Sequence, residues 1–191
     1  MIGPLLTHIE KFIALQPDRA DVLSSFFEHR LYKKKESLLN EGERCFEKFF
    51  ILKGCVQLSF LKQNGSEQTL DFSIENWWVS DFSAFPVGGT AQFSIRAVEE
   101  TEVLIISADQ QWLMLQQVPE LEAYFHLIFQ RAYAASQNRI RYLYEFSKEE
   151  LYQRFLADYP AFIQRVPQYL LASFLGFTPE YLSELRKRFI S

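Results

Sequence analysis

The sequence predicts an α+β chain: an antiparallel β-roll of jelly-roll type with flanking helices, then one long helix, then a C-terminal helix-turn-helix. Three observations point there. Short apolar and alternating runs recur between turn signals through the first half of the chain, as in antiparallel barrels and jelly rolls. An apolar repeat spaced 4 and 3 begins at Leu121. Residues 166–188 read as two short helices around a glycine. The domains expected are a sensor roll over 1–108, a long dimerisation helix over 109–146, and a helix-turn-helix over 147–191 that lacks a full wing.

Taken in order, Leu5, Ile9, Phe12 and Ile13, then Val22, Leu23, Phe26 and Phe27, suggest one or two short helices separated near Pro17-Asp18. From Leu31 the period changes. Strand-like runs follow at Ser37–Asn40, Phe49–Leu52, Val56–Leu61, Gln68–Phe72, Trp77–Val79, Phe93–Val98 and Val103–Ile106. The turn signals between them are Glu41-Gly42, Lys53-Gly54, Asn64-Gly65 and Gly88-Gly89. Asn64-Gly65 predicts a type I′ hairpin, because both residues tolerate positive φ.

A helical stretch then runs from about Asp109 to Phe146, with a break near Pro119. Within it Leu121, Phe125, Ile128, Ala132, Ala135, Arg139, Tyr142 and Phe146 form an unbroken heptad seam suited to a second copy of the chain. The other destination for that stripe is the chain's own roll, and Arg139 suits a dimer only if it pairs across the interface. Ser147 and Glu150 have capping-box spacing and start a new helix.

In the last segment Pro167 suits a helix start, while Leu171, Ala172 and Leu175 share one face and Gly176 suits a left-handed helix end. Thr178 caps the next helix, with Pro179 in its first turn and Glu180 beside its positive end. Leu182 and Leu185 face inward. Tyr181, Ser183, Glu184, Arg186, Lys187 and Arg188 face outward, where a second helix would read double-stranded DNA, and Gln168 and Tyr169 could touch its backbone.

Charge supports a division of labour. Residues 1–129 carry 11 Lys/Arg against 18 Asp/Glu, whereas residues 130–191 carry 9 against 6. The basic part contains the helix pair, as phosphate contact requires. No apolar run is long enough to span a bilayer, and the N-terminal stretch is interrupted by His8, Glu10 and Lys11, so a cytoplasmic protein with no membrane partner is expected. Cys45 and Cys55 are read as buried thiols, and His8, His29 and His126 as satisfied or exposed side chains. No two histidines lie within ten residues of one another, which argues against a metal site of the cupin kind and against an enzyme.

The order of roll, heptad helix and helix-turn-helix resembles the Crp/Fnr family of transcription regulators. The residues that carry the resemblance are Glu41-Gly42-Glu43, Phe50–Val56, Asn64–Glu67, Ala97–Val103, and Ala172, Leu175, Gly176, Thr178, Glu180 and Ser183. It implies a homodimer that binds DNA and answers to a small molecule or another protein. In cyclic-nucleotide-binding members it also implies a Gly-Glu pair for the ribose and an arginine for the cyclic phosphate. This chain has Ser80, Asp81 and Ala91 at those places. An altered or vestigial pocket lined by Ser80, Asp81, Phe82, Ser83, Ala91 and Gln92 is therefore expected, with a cyclic nucleotide not expected in it and no cofactor.

Arg96, the nearest cation, lies five residues on from Ala91. Trp77-Trp78 either close the pocket on a flat apolar ligand or fill core. In the second helix the resemblance implies a guanine-reading arginine where this chain has Glu184. The alternative reading is an effector-binding or protein-interaction module that has lost DNA binding.

Overall fold

The computed structural model describes residues 2–16 and 19–190; Pro17 and Asp18, the expected helix break, lie outside them. Two short helices, α1 (Gly3–Ile9) and α2 (Arg19–Ser24), precede eight strands. These are β1 (Glu28–Tyr32), β2 (Ser37–Leu39), β3 (Glu47–Lys53), β4 (Val56–Leu61), β5 (Glu67–Ser73), β6 (Trp78–Val79), β7 (Ser94–Ala97) and β8 (Thr101–Ser107). A 3-10 turn, Phe85–Val87, sits between β6 and β7. Six helices follow: α3 (Ala108–Gln117), α4 (Leu121–Glu145), α5 (Lys148–Asp158), α6 (Pro160–Arg165), α7 (Gln168–Leu175) and α8 (Pro179–Ile190).

The strands form two four-stranded sheets, β1-β8-β3-β6 and β2-β7-β4-β5, and the strand pairs whose register is defined are antiparallel. Phe49 and Ile51 of β3 and Val103 and Ile105 of β8 point between the sheets, against Leu39, Val56 and Ile95. Phe50, Leu104 and Ile106 point the other way, onto Leu5, Leu23, Trp78, Tyr124 and Phe125. The first sheet is thus apolar on both faces. Its inner strands β3 and β8 read as continuous hydrophobic runs for that reason, since alternation appears only where one face meets water.

Two expectations are corrected. A further strand, β1, precedes the expected ones, because Glu28, His29 and Arg30 give an edge strand with little apolar signal. The Asn64-Gly65 hairpin is present, but Asn64 does not take positive φ; only Gly65 does, at 78°. Gly65 N–H bonds Lys62 O at 2.9 Å, and Asn64 Oδ1 accepts from the Ser66 backbone and hydroxyl. The turn is therefore completed by the asparagine side chain, not by a left-handed asparagine. Gly54, at φ 107°, is needed for a different reason: a Cβ there would lie 2.5 Å from Thr101 Oγ1.

The chain divides into two compact units. One comprises residues 1–60 and 71–129, the other residues 61–70 and 130–191. In the second unit, Tyr152, Ile163, Val166, Leu170, Leu171, Ala172, Leu175, Phe177, Leu182 and Leu185 are buried. The break in the long helical stretch falls at 118–120, and the Ser147–Glu150 capping box makes both of its reciprocal bonds.

Candidate effector cassette and nucleic-acid interface

Asp81 follows β6 and is buried to 1% exposure, with both carboxylate oxygens engaged by nearby donors. Oδ1 accepts from Ser83 N–H at 3.0 Å, Ser83 Oγ–H at 2.6 Å and Ala84 N–H at 3.2 Å, and Oδ2 accepts from Gln92 N–H at 2.7 Å. Burial pushes the carboxyl pKa up, but the bonds from Ser83, Gln92 and Ala84 outweigh it and hold the group below its ordinary value. The cassette is therefore a closed loop in which Asp81 ties the 81–84 turn to the start of the next strand. Ser80 is buried too, donating to Glu47 O at 2.8 Å and lying 3.3 Å from Cys45 Sγ.

Ala91 is buried at the arginine position, and its backbone bonds both Glu43 and Gly42. Arg96 lies on β7 opposite Gln57 and Ser37. Phe82 is exposed and packs edge-on against Phe129 with centroids 5.2 Å apart. Of the six expected pocket residues, then, Ser80, Asp81 and Ala91 are inside the fold, whereas Phe82, Ser83 and Gln92 reach the surface.

The two indoles do not act together. Trp77 is exposed. Trp78 is buried on the helix side of its sheet, beside Phe50 and Phe125, and donates Nε1–H to Tyr124 Oη at 2.9 Å. His8 Nδ1 is 2.9 Å from the same hydroxyl. Burial raises the Tyr124 pKa, partly offset by the Trp78 bond. The same core holds a group the sequence does not flag, Lys48, whose side chain is carried outward by the alternation of β3. Its Nζ is buried without a hydrogen-bond partner, 3.6 Å from the Phe125 ring centroid and 4.4 Å from that of Trp78. Desolvation lowers its pKa well below the lysine value. Both cysteines are buried thiols, and no cluster of metal-binding side chains occurs among the described residues.

Along α4 the expected seam separates into different environments. Leu121 and Phe125 are buried in their own chain. Ile128, Ala132, Tyr142 and Phe146 are half-buried, and Ala135 is exposed. Arg139 is not waiting for a partner across an interface: it donates to Leu70 O and, at 2.9 Å, to Phe174 O. The large apolar side chains left exposed on the second half of α4 are Tyr133, Ile140, Leu143 and Tyr144.

At the C-terminus, α7 ends at Gly176, with φ 75° and ψ 28°, and its N–H bonds Ala172 O and Ser173 O. Pro167 is the residue before the first helical position. Thr178 Oγ1 accepts from Tyr181 N–H at 3.2 Å, capping α8. Leu182 and Leu185 are fully buried, while Glu180, Glu184, Lys187 and Arg188 are exposed and Tyr181, Ser183 and Arg186 half-exposed. Tyr169 is exposed and Gln168 half-buried. Arg188 bonds Glu149 at 2.9 Å, and Lys148 Nζ lies 5.6 Å from the Tyr181 ring centroid, so the start of α5 braces this helix. Gln68 and Thr69, which follow the hairpin turn in sequence, contact Ser173; nothing local links positions 104 residues apart.

Residues 29–117 match the cyclic nucleotide-binding domain family. No curated protein matches the chain by sequence. Among solved structures, the c-di-GMP-responsive global regulator CLP of Xanthomonas campestris has a TM-score of 0.75 at 14% identity, covering 91% of each chain. A Crp/Fnr-family transcriptional regulator from Eubacterium rectale has a TM-score of 0.70 at 15% identity, covering 92% of this chain and 84% of its own. The catabolite activator protein of Thermus thermophilus has a TM-score of 0.58 at 20% identity, with coverages of 94% and 85%. These likenesses establish the fold. No helix among the described residues is long and apolar enough to cross a membrane.

Proposed function

We propose that this chain, a cyclic nucleotide-binding domain on the fold of the Crp/Fnr regulators, is a homodimeric DNA-binding transcription regulator and not an enzyme. Residues 1–108 form the sensor, 109–146 the dimerisation helix and 147–191 the reader. The observation that carries the reading is α8: a capped helix, anchored by Leu182 and Leu185, whose other side offers Tyr181, Ser183, Glu184, Arg186 and Lys187 to solvent. That arrangement suits a helix laid in a major groove, with phosphate contacts from the basic residues and base contacts from the polar ones.

Tyr133, Ile140 and Leu143 are spaced seven and three along α4, and they form the face offered to a second copy. Ile140→Asp should give monomers in sedimentation, by placing unpaired charges at the two-fold contact.

The effector is not a cyclic nucleotide held in the usual way. The Asp81 carboxylate is buried and bonded within its own loop, and Ala91 brings no guanidinium to a phosphate. Calorimetry with cyclic AMP should show binding weaker than roughly 10 µM, about −7 kcal/mol.

The test of DNA reading is a salt series of anisotropy titrations on random-sequence duplex. Changing Arg186 and Lys187 to Ala should weaken binding and reduce the slope of log K on log salt by about 0.9 for each phosphate the variant leaves unneutralised. Glu184→Arg should tighten it, by up to about 1–3 kcal/mol where it meets a guanine. Absence of binding even at low salt would transfer the reading to a protein-interaction module. Glu184, exposed where the fold's relatives would be expected to carry arginine, and Arg188, engaged by Glu149, are the observations favouring that second reading.

A further inference from the structure

We propose that the hairpin tip at residues 61–70 is a positioning latch for the α7–α8 pair, with Gln68, Thr69 and Arg139 as its grips. This rests on reading α7–α8 as the DNA reader. The hairpin packs as part of the C-terminal compact unit, with residues 130–191, although the strands leading into it continue β4 and β5 of the roll.

The contacts converge on one helix end. Thr69, buried, donates its backbone N–H to Ser173 Oγ at 2.8 Å, and the Gln68 side-chain amide donates to Ser173 O. Arg139, from α4, donates to Phe174 O at 2.9 Å and to Leu70 O, and its guanidinium lies 4.1 Å from the Phe174 ring centroid. The last carbonyls of a helix lack partners within the helix and carry its negative end. Arg139 supplies such a partner to Phe174 O, Gln68 adds a second donor to Ser173 O beside the Gly176 N–H, and a planar guanidinium can hold the hairpin carbonyl and the helix carbonyl at once.

The grips are polar and few, whereas residues 61–67 are exposed. Such a contact holds a position without fusing the parts into one core. Any shift of the hairpin is delivered straight to the end of α7. Releasing the grips leaves the reader more mobile, so DNA binding must then order it at an entropic cost.

The test uses the full chain with three variants, Arg139→Gln, Gln68→Ala and Ser173→Ala, read by amide hydrogen exchange and by anisotropy on random-sequence duplex. Exchange in α7 and α8 should rise and duplex affinity fall, each by about tenfold for Arg139→Gln, the equivalent of one hydrogen bond to a charged group. Exchange in β3 and β8 should stay at the wild-type rate, which separates release from unfolding. Arg139→Lys should fail to rescue, because an ammonium lacks the fork. Unchanged exchange in α7–α8, tighter duplex binding, or full rescue by lysine overturns the latch. If wild type binds no duplex, the DNA reading fails, and the exchange result still decides the latch by itself.

Discussion

The loop after β6 and helix α8 both carry polar residues that the family resemblance suggests as functional, yet they spend them in opposite directions. Asp81 receives four hydrogen bonds from residues 83, 84 and 92, all within its own loop and the segment leading into β7. In α8 the capping is done by Thr178 and the anchoring by Leu182 and Leu185, so Ser183 and Glu184 are not needed to hold the helix in place. A polar residue is available for recognition only when other groups do the structural work. By that criterion the proposed reader is the C-terminal unit, and the carboxylate of Asp81 serves the loop that holds it.

The largest effect expected on this contrast is Leu182→Ala. It removes a fully buried side chain and should cost about 2–5 kcal/mol. All three tryptophans, Trp77, Trp78 and Trp112, lie in the N-terminal unit. Urea unfolding should therefore show an earlier loss of helical circular dichroism with an unmoved tryptophan fluorescence midpoint. Coincident shifts of both signals would mean that the two units unfold as one.

Lys48 sharpens the comparison from within the N-terminal unit, since its amine is buried among aromatic rings without a hydrogen-bond partner. Lys48→Met should raise the fluorescence midpoint, gaining about 3 kcal/mol, the upper end for an unsatisfied buried group. The pH dependence has a definite sign. The folded pKa is lowered, so between it and the ordinary lysine value of about 10.4 the unfolded chain binds more protons. Wild-type stability should rise with pH through that window, and the methionine variant should lose that rise.

Asp81→Asn tests whether the cassette is scaffold. The amide turns a donor toward backbone N–H groups and should cost about 2 kcal/mol, seen in the same fluorescence transition. Because the folded pKa is depressed, the stabilisation is present above the ordinary carboxylate value and disappears as pH falls through the folded pKa. A neutral substitution would show that the carboxylate is kept for a ligand.

What the sequence made legible was whatever local chemistry specifies. The Ser147–Glu150 box, the left-handed Gly176 and the Thr178 cap each depend on neighbours within a few positions, and each is where the pattern put it. The strands of the roll were legible by apolar content, but not their facing, because β3 and β8 are buried on both sides. The heptad stripe on α4 could be seen, but its partner could not: Leu121 and Phe125 satisfy the same spacing by entering their own core. Lys48 was invisible, since a lysine in a strand looks like a solvent-facing residue until the helices that cover it are known.

Two buried tyrosines, one in each unit, supply the smallest and most direct test. Tyr124 Oη accepts from Trp78 and adjoins His8, whereas Tyr152 Oη is buried with no hydrogen-bond partner. Removing a satisfied hydroxyl strands its partners; removing an unsatisfied one relieves a desolvation cost. Tyr124→Phe should therefore destabilise by about 1 kcal/mol, with the Trp78 emission changed because its indole N–H loses an acceptor. Tyr152→Phe should be neutral or slightly stabilising. Burial raises the Tyr152 pKa, against a smaller lowering by Arg186, so the hydroxyl stays neutral. Because no hydrogen bond is lost, Tyr152→Phe should leave thermal stability intact and alter duplex binding by less than about threefold, under 1 kcal/mol. A large drop in binding at unchanged stability would move Tyr152 from the core of the C-terminal unit into its reading machinery.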